Sequence, residues 1–391
     1  MIEKKYNLKY CCDDICVFPS ITLSNYCDYK LSEHFGLTAI STYQLKTNKE
    51  VHNSEQKKKG KVYLYRLVEN TNNNQLERES DYALIYEKNI NYHSGVLQSS
   101  YLFANDNLML GSICVNGLYL SNVRDGNYDK IVATKDEKNN SGLSFDTLEN
   151  KVDKICVSFS NGDMSFISDG NPVNFWKAHE YHVWSCAFAG DENIITTGSD
   201  DCSFKIWDMR SKNCSQKNNR SHSQGVTVVK FESLSKTLYT GSYDNKIRIF
   251  DLRNIQDPLQ TIDLKSSIWR IKFAYKNGSL NKLLVAMCDG GAQIIKKIKN
   301  EYIFKEGINN NNELTYGIDG IQILDNHEKK KKKKKFICLA LFIIKRLNCG
   351  LSEMQLAKKP KKNKKNKKKQ KKTKKNPKKL LTYPKFYMPY I

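Results

Sequence analysis

This chain has no Cys-x-x-Cys pair, although it carries 12 cysteines in 391 residues. That spacing would mark a zinc ribbon or a thioredoxin-type centre. Without it, thiols scattered from Cys11 to Cys349 read as free groups in a reducing compartment, and no metal is expected. Long apolar runs are missing too. The run at 336–344 has only 9 residues, against the ~20 that a membrane-spanning helix requires. Met1 to Lys5 lead into no apolar core of signal-peptide length and offer no glycine for myristoylation. The expectation is therefore a cytoplasmic protein that does not engage membrane. A Gly-x-Ser-x-Gly elbow is also absent, which excludes the α/β-hydrolase route to a serine nucleophile.

Positive charge is abundant but local. The formal charge is +23, yet seven lysines run from Lys329 to Lys335 and 15 more lie between Lys358 and Lys379. These blocks account for nearly all of the excess, so the rest of the chain is close to neutral. Lysine blocks of this kind read as disordered tails or localisation signals. After the second block the aromatics are Tyr383, Phe386, Tyr387 and Tyr390, at the very end, so the interleaving that stacks on bases is missing. Nucleic acid is expected only through the lysine tail, if at all.

The strongest signal that is present is repetition. His179, Val183, Cys186 and Phe188 lead to Thr197-Gly-Ser-Asp-Asp201 and Ile206-Trp-Asp208. His222, Val226, Val229 and Phe231 lead in the same way to Thr240-Gly-Ser-Tyr-Asp244 and Ile249-Phe-Asp251. The step is 43 residues, within the period of about 40–45 of a four-stranded propeller blade. Offsets 4, 7 and 9 from each histidine fit an innermost strand, and Gly-Ser-x-Asp fits the following turn. His179, Thr197, Asp201 and Trp207 have the spacing of a WD-repeat tetrad. His222, Thr240 and Asp244 form a second, incomplete one, because Phe250 replaces the tryptophan. A third unit keeps the offsets at Ile268, Ile271 and Phe273, with Leu264 in the histidine position.

These units predict an all-β, seven-bladed WD-repeat β-propeller over 10–324, followed by a disordered lysine-rich tail over 325–391. The blades are expected at 10–68, 95–124, 142–172, 173–212, 213–256, 257–299 and 313–344. Segments 46–59, 69–78 and 136–150 are rich in Asn, Lys, Glu and Ser and read as mobile loops between strands. The seventh blade is expected to be incomplete or interrupted. Either 336–344 completes it after the first lysine block, or the natural chain ends differently.

Trp176 to Trp184, Gly241-Ser-Tyr-Asp244, Asp251-Leu-Arg-Asn254 and Ile268-Trp-Arg-Ile-Lys272 together resemble the WD-repeat diphthine methyl ester hydrolases of the diphthamide pathway, also labelled diphthine methyltransferases. Tyr43-Gln-Leu45, Gly60 to Tyr65 and Tyr316-Gly-Ile-Asp319 extend the likeness over about 10–324. The resemblance implies a cytosolic carboxylic ester hydrolase acting on translation elongation factor 2. It implies release of methanol from an over-methylated intermediate, with no metal or organic cofactor, and leaves other diphthamide-pathway enzymes as possible partners.

Ester hydrolysis requires an activated water or nucleophile and donors for the oxyanion. His182, at offset 3, falls at the entrance end of an inner strand and is either a surface histidine or a base. Asp200 could orient a histidine or face solvent. Arg270 could steady an oxyanion or pair with a carboxylate of a neighbouring blade. The intermediate implied by the resemblance carries a trimethylammonium group, which aromatic faces bind. Trp184 and Trp269 at offset 5, with Tyr243, could cage it or could simply pack. The rival reading is a non-catalytic WD-repeat scaffold, because a propeller by itself does not specify chemistry.

Overall fold

The structure, a computed structural model, describes residues 5–8, 11–18, 34–45, 58–69, 82–104, 107–133, 140–276, 278–299, 301–308, 314–325, 333–343 and 352–357. The end of the chain, including the second lysine block, lies outside the described residues, as do most of the 46–59 and 69–78 segments.

The protein is an all-β propeller of WD type. Its strands pair into four-stranded antiparallel sheets, and seven such sheets are present among the described residues. Each begins with an inner strand: Cys11–Phe18, Val96–Ala104, Gly142–Thr147, Val183–Phe188, Val226–Glu232, Ile268–Lys276 and Leu314–Asp325. These inner strands touch one another in that order, and the last touches the first, so the ring is closed. Residues at offsets 4 and 7 are buried, as the repeat predicts: Val183, Cys186, Val226, Val229, Ile268 and Ile271. Hairpin turns use left-handed residues, and Cys202 (φ 61°) and Asn245 (φ 66°) hold the same turn in successive blades.

Six sheets use strands consecutive in the chain, whereas the seventh does not. It contains Leu314–Asp325, Lys333–Ile343, Ser352–Ala357 and, as its outer strand, the N-terminal Lys5–Leu8. The expected incomplete blade therefore has four strands. The 336–344 run supplies most of its second strand, after the first lysine block as one of the two alternatives required. Two strands also lie beyond the expected boundary at 324–325, so the segment read as tail holds part of the propeller. Backbone ladder pairing does not require apolar side chains, which is why the lysine block concealed this strand.

Blade limits are displaced from the sequence expectation by one strand. Asn171–Lys177, Asn213–Asn218 and Gln260–Asp263 are outer strands of the third, fourth and fifth sheets, not first strands of the sheets that follow. The outer strand of the first sheet, Tyr82–Tyr92, fell outside every expected blade. Gly142–Thr147, read as part of a loop over 136–150, is an inner strand.

Every inner strand shifts register at one equivalent place, between Cys12/Asp14, Val96/Gln98, Gly142/Ser144, Val183/Ser185, Val226/Val228, Ile268/Arg270 and Thr315/Gly317. The skipped residues are Asp13, Leu97, Leu143, Trp184, Thr227, Trp269 and Tyr316. A bulge re-aims the side chain it frees. Here it sets one residue per blade at a common level around the axis.

Side chains then join each inner strand to the next. Asp14 accepts from Ser99 N (3.3 Å), Gln98 donates to Phe145 O (3.1 Å) and Asp146 accepts from Phe188 N (3.0 Å). Ser185 accepts from Val229 N (3.2 Å), Thr227 donates to Ile268 O (2.7 Å) and Asp319 accepts from Val17 N (3.0 Å). A Lys272–Asp319 ion pair (3.7 Å) spans the remaining joint.

Candidate functional site

The tetrads come first because they fix the strands that carry the site. Thr197 Oγ1 accepts from Trp207 Nε1 (3.0 Å) and meets His179 Nε2 at 2.7 Å, while His179 Nδ1 lies 2.8 Å from Asp201. A threonine hydroxyl that accepts from the indole donates to Nε2, which leaves the proton of His179 on Nδ1 facing Asp201. Burial lowers the His179 pKa, more than Asp201 raises it. Burial alone would raise Asp201, but hydrogen bonds to His179 and Ser203 bring it down to about 2. In the next blade His222 meets Thr240 (2.8 Å) and Asp244 (3.2 Å), and Arg248 reaches Asp244 at 2.7 Å. Phe250 instead packs its ring 4.8 Å from that of Phe204. These seven residues are hydrogen-bonded in the architecture.

At the entrance end of the inner strands the bulged residues form an aromatic collar. The Trp184 and Trp269 rings meet edge to face at 5.4 Å, Trp269 meets Tyr316 at 5.5 Å and Tyr243 at 6.4 Å. Leu97 and Leu143 belong to the same apolar cluster. Trp184 and Trp269 are buried, at 8% and 7% exposure, whereas Tyr243 is half-buried. The two tryptophans thus face each other more than solvent. The His182 ring lies 5.3 Å from that of Trp184, on the rim.

Asp200 is tied into this rim from two sides. Its carboxylate accepts from Trp184 Nε1 at 2.6 Å, and its backbone N–H donates to His182 O at 3.1 Å. Burial raises the Asp200 pKa, against the pull of the indole N–H and of His182. Gly225, 43 residues after His182, lies so close that a Cβ there would stand 2.5 Å from the Asp200 carboxylate. The structure therefore brings five predicted residues together at one mouth: His182, Trp184, Asp200, Tyr243 and Trp269.

Arg270 departs from that group. Although its guanidinium lies 5.9 Å from the Trp269 ring, it turns into the central channel. There it donates to Leu97 O (3.1 Å) and stands 3.9 Å from both Asp13 and Asp14. Of the two roles open from sequence, the structure shows pairing with carboxylates of another blade. Below it the channel encloses about 470 Å³, lined by residues of all seven inner strands, among them Asp14, Asp146, Lys230, Lys272 and Asp319. No group of three or more side chains suited to hold a metal occurs among the described residues.

The family model for the WD domain, G-beta repeat, matches residues 170–208 and 213–251. The diphthine methyltransferase homolog of Dictyostelium discoideum is 31% identical over 53% of this chain and 62% of its own length. The diphthine methyltransferase of Schizosaccharomyces pombe is 30% identical over 39% of this chain and 51% of its own length. The chain thus carries WD repeats and is similar to these diphthine methyltransferases over part of their length. It spans less than two thirds of the length of these relatives. Among solved structures, a chain of the mitotic checkpoint complex superposes with a TM-score of 0.54 at 13% identity, covering 83% of this chain and 84% of that one. That likeness concerns the fold alone.

Sequence reasoning missed the charged lining of the channel. Asp14, Lys272 and Asp319 lie on the first, sixth and seventh inner strands, and only closure of the ring brings them together. The signal available was charge at alternate inner-strand positions, as in Arg270-Ile-Lys272, where a buried strand should be apolar on both faces.

Proposed function

We propose that this protein is a cytoplasmic diphthine methyl ester hydrolase acting on the modified histidine of translation elongation factor 2. What carries the reading is the similarity to the diphthine methyltransferases, joined to an acid–base pair set beside aromatic rings at the propeller mouth. In the reaction a water oxygen bonds to the ester carbonyl carbon, the bond to the methoxy oxygen breaks, and methanol leaves with the proton that the water gave up. His182 and Asp200 accept and return that proton. Burial keeps the Asp200 carboxyl above its usual range, which suits a group that exchanges a proton. Tyr243, the most open of the three rings, meets the substrate's trimethylammonium group, with Trp184 and Trp269 behind it.

The purified protein should remove one CH2 equivalent from methylated diphthine on elongation factor 2, read by mass spectrometry of the modified peptide. His182→Ala and Asp200→Asn should each lower turnover by about 100-fold or more with the fold retained. A folded wild-type protein that converts nothing would instead be a binding scaffold.

A further inference from the structure

We infer that the central channel below the aromatic collar is a binding site for the α-amino-acid moiety of a small polar ligand. This does not depend on hydrolase activity, and it concerns a different cavity from the mouth. The channel holds three cation–carboxylate pairs: Arg270–Asp14 at 3.9 Å, Lys272–Asp319 at 3.7 Å and Lys230–Asp146 at 3.9 Å. All are wider than the ~2.7–2.9 Å of a direct charge-assisted hydrogen bond. The same chain closes a buried pair when pairing is the purpose, for Arg248 and Asp244 stand at 2.7 Å. Loose pairs bear the desolvation of both ions without the full Coulombic return. That pattern fits groups held apart for a third partner.

The uppermost pair specifies what the partner must offer. Asp14 is 1% exposed; one carboxylate oxygen accepts from Ser99 N, whereas Oδ1 receives no hydrogen bond. Arg270 Nε–H, beside it, has no acceptor. The guanidinium itself is held in place by Leu97 O and the Trp269 ring. A ligand that satisfies both needs an acceptor anion for Arg270 and a donor cation for Asp14, side by side. An α-carboxylate and an α-ammonium on one carbon meet that demand. An anion alone would leave Asp14 unsatisfied, and the six charged groups of the lining balance while Asp13 adds a further carboxylate beside Arg270, so the cavity has no surplus positive charge to attract one. The hydroxyls of Ser99, Ser144 and Ser185, with the Gln98 amide, line the same cavity and suit a neutral polar side chain.

The test titrates the full chain with L-glutamine, with glutaramate, which lacks the α-ammonium, and with 4-aminobutanamide, which lacks the α-carboxylate. Calorimetry or saturation-transfer NMR should show glutamine binding, with each control weaker by about tenfold or more. Asp14→Asn, which preserves shape, and Arg270→Met should each reduce glutamine affinity by at least the same factor. If Arg270→Met fails to fold, Asp14→Asn decides alone. Absence of glutamine binding would mean that water fills the channel, and equal binding of glutaramate would mean a plain anion site. Either result, or unchanged affinity in Asp14→Asn, overturns the inference.

Discussion

Thr197 shows how one hydroxyl can matter more than its size suggests. It accepts from the Trp207 indole and donates to His179, so Thr197→Val leaves two buried polar groups unpaired, at about 1–3 kcal/mol each. Thr240→Val orphans His222 but no indole, since Phe250 has no N–H. Urea unfolding of the two variants should show the larger loss for Thr197→Val. Titration gives a second expectation. Burial lowers the pKa of His179 and His222, so the folded state prefers them neutral and the unfolded chain binds more protons below the usual value of about 6.5. Their contribution is complete above that pH and is lost as pH falls beneath it. Asp201 and Asp244 lie at about 2, so their contribution is present above about 3.9 and is lost as pH falls through 2. Melting temperature should therefore fall from pH 7 to pH 5, and His222→Asn should flatten that slope. The tetrads were legible in sequence because all their members lie within one repeat. Asp14 and Arg270 were not, because their meeting depends on closure.

Among the elements, the inner strand carries most of the meaning and the seventh sheet most of the risk. Offset 5 was readable as a strand position, but the bulge that aims Trp184 and Trp269 at the axis is a register effect between two strands, which no single segment announces. The seventh sheet binds Lys5–Leu8 to Ser352–Ala357, and so ties two remote parts of the chain together. Truncation after Asp325 would remove two of its strands and leave Leu314–Asp325 with an unpaired edge. We expect a fall in melting temperature of more than about 10 °C, at about 2–4 °C per kcal/mol for a body of this size. Removal of residues 1–10 should give a smaller fall, because only the outer strand is lost. Calorimetry of both truncated chains would decide it. An unchanged transition after the first truncation would make Lys333–Ile343 dispensable, as the plain reading of a lysine tail requires.

The whole molecule concentrates its basic charge in two lysine blocks, the first of which runs into the second strand of the seventh sheet, while the remaining residues are close to neutral. Repeat period and tetrads made the ring legible over three blades. The remaining blades were obscured by long insertions in the first half, and the closing sheet by the first lysine block. The second block, Lys358 to Lys379, carries 15 lysines and lies outside the described residues. Polyanion binding by such a segment proceeds by counterion release, with a logarithmic salt slope of about −0.7 per phosphate neutralised on a single strand. Within the ring, by contrast, Lys230, Arg270 and Lys272 face carboxylates inside the channel and offer no basic surface. Fluorescence anisotropy with a single-stranded oligonucleotide should thus show binding by the full chain that weakens steeply between 50 and 200 mM salt, by about 300-fold if six phosphates are engaged. Removing residues 358–391 should abolish that binding and leave the propeller's melting transition in place. If the shortened chain retained affinity with the same salt slope, the nucleic-acid contact would belong to the propeller, and the charge of the ring would have to be distributed far less evenly than its buried pairs indicate.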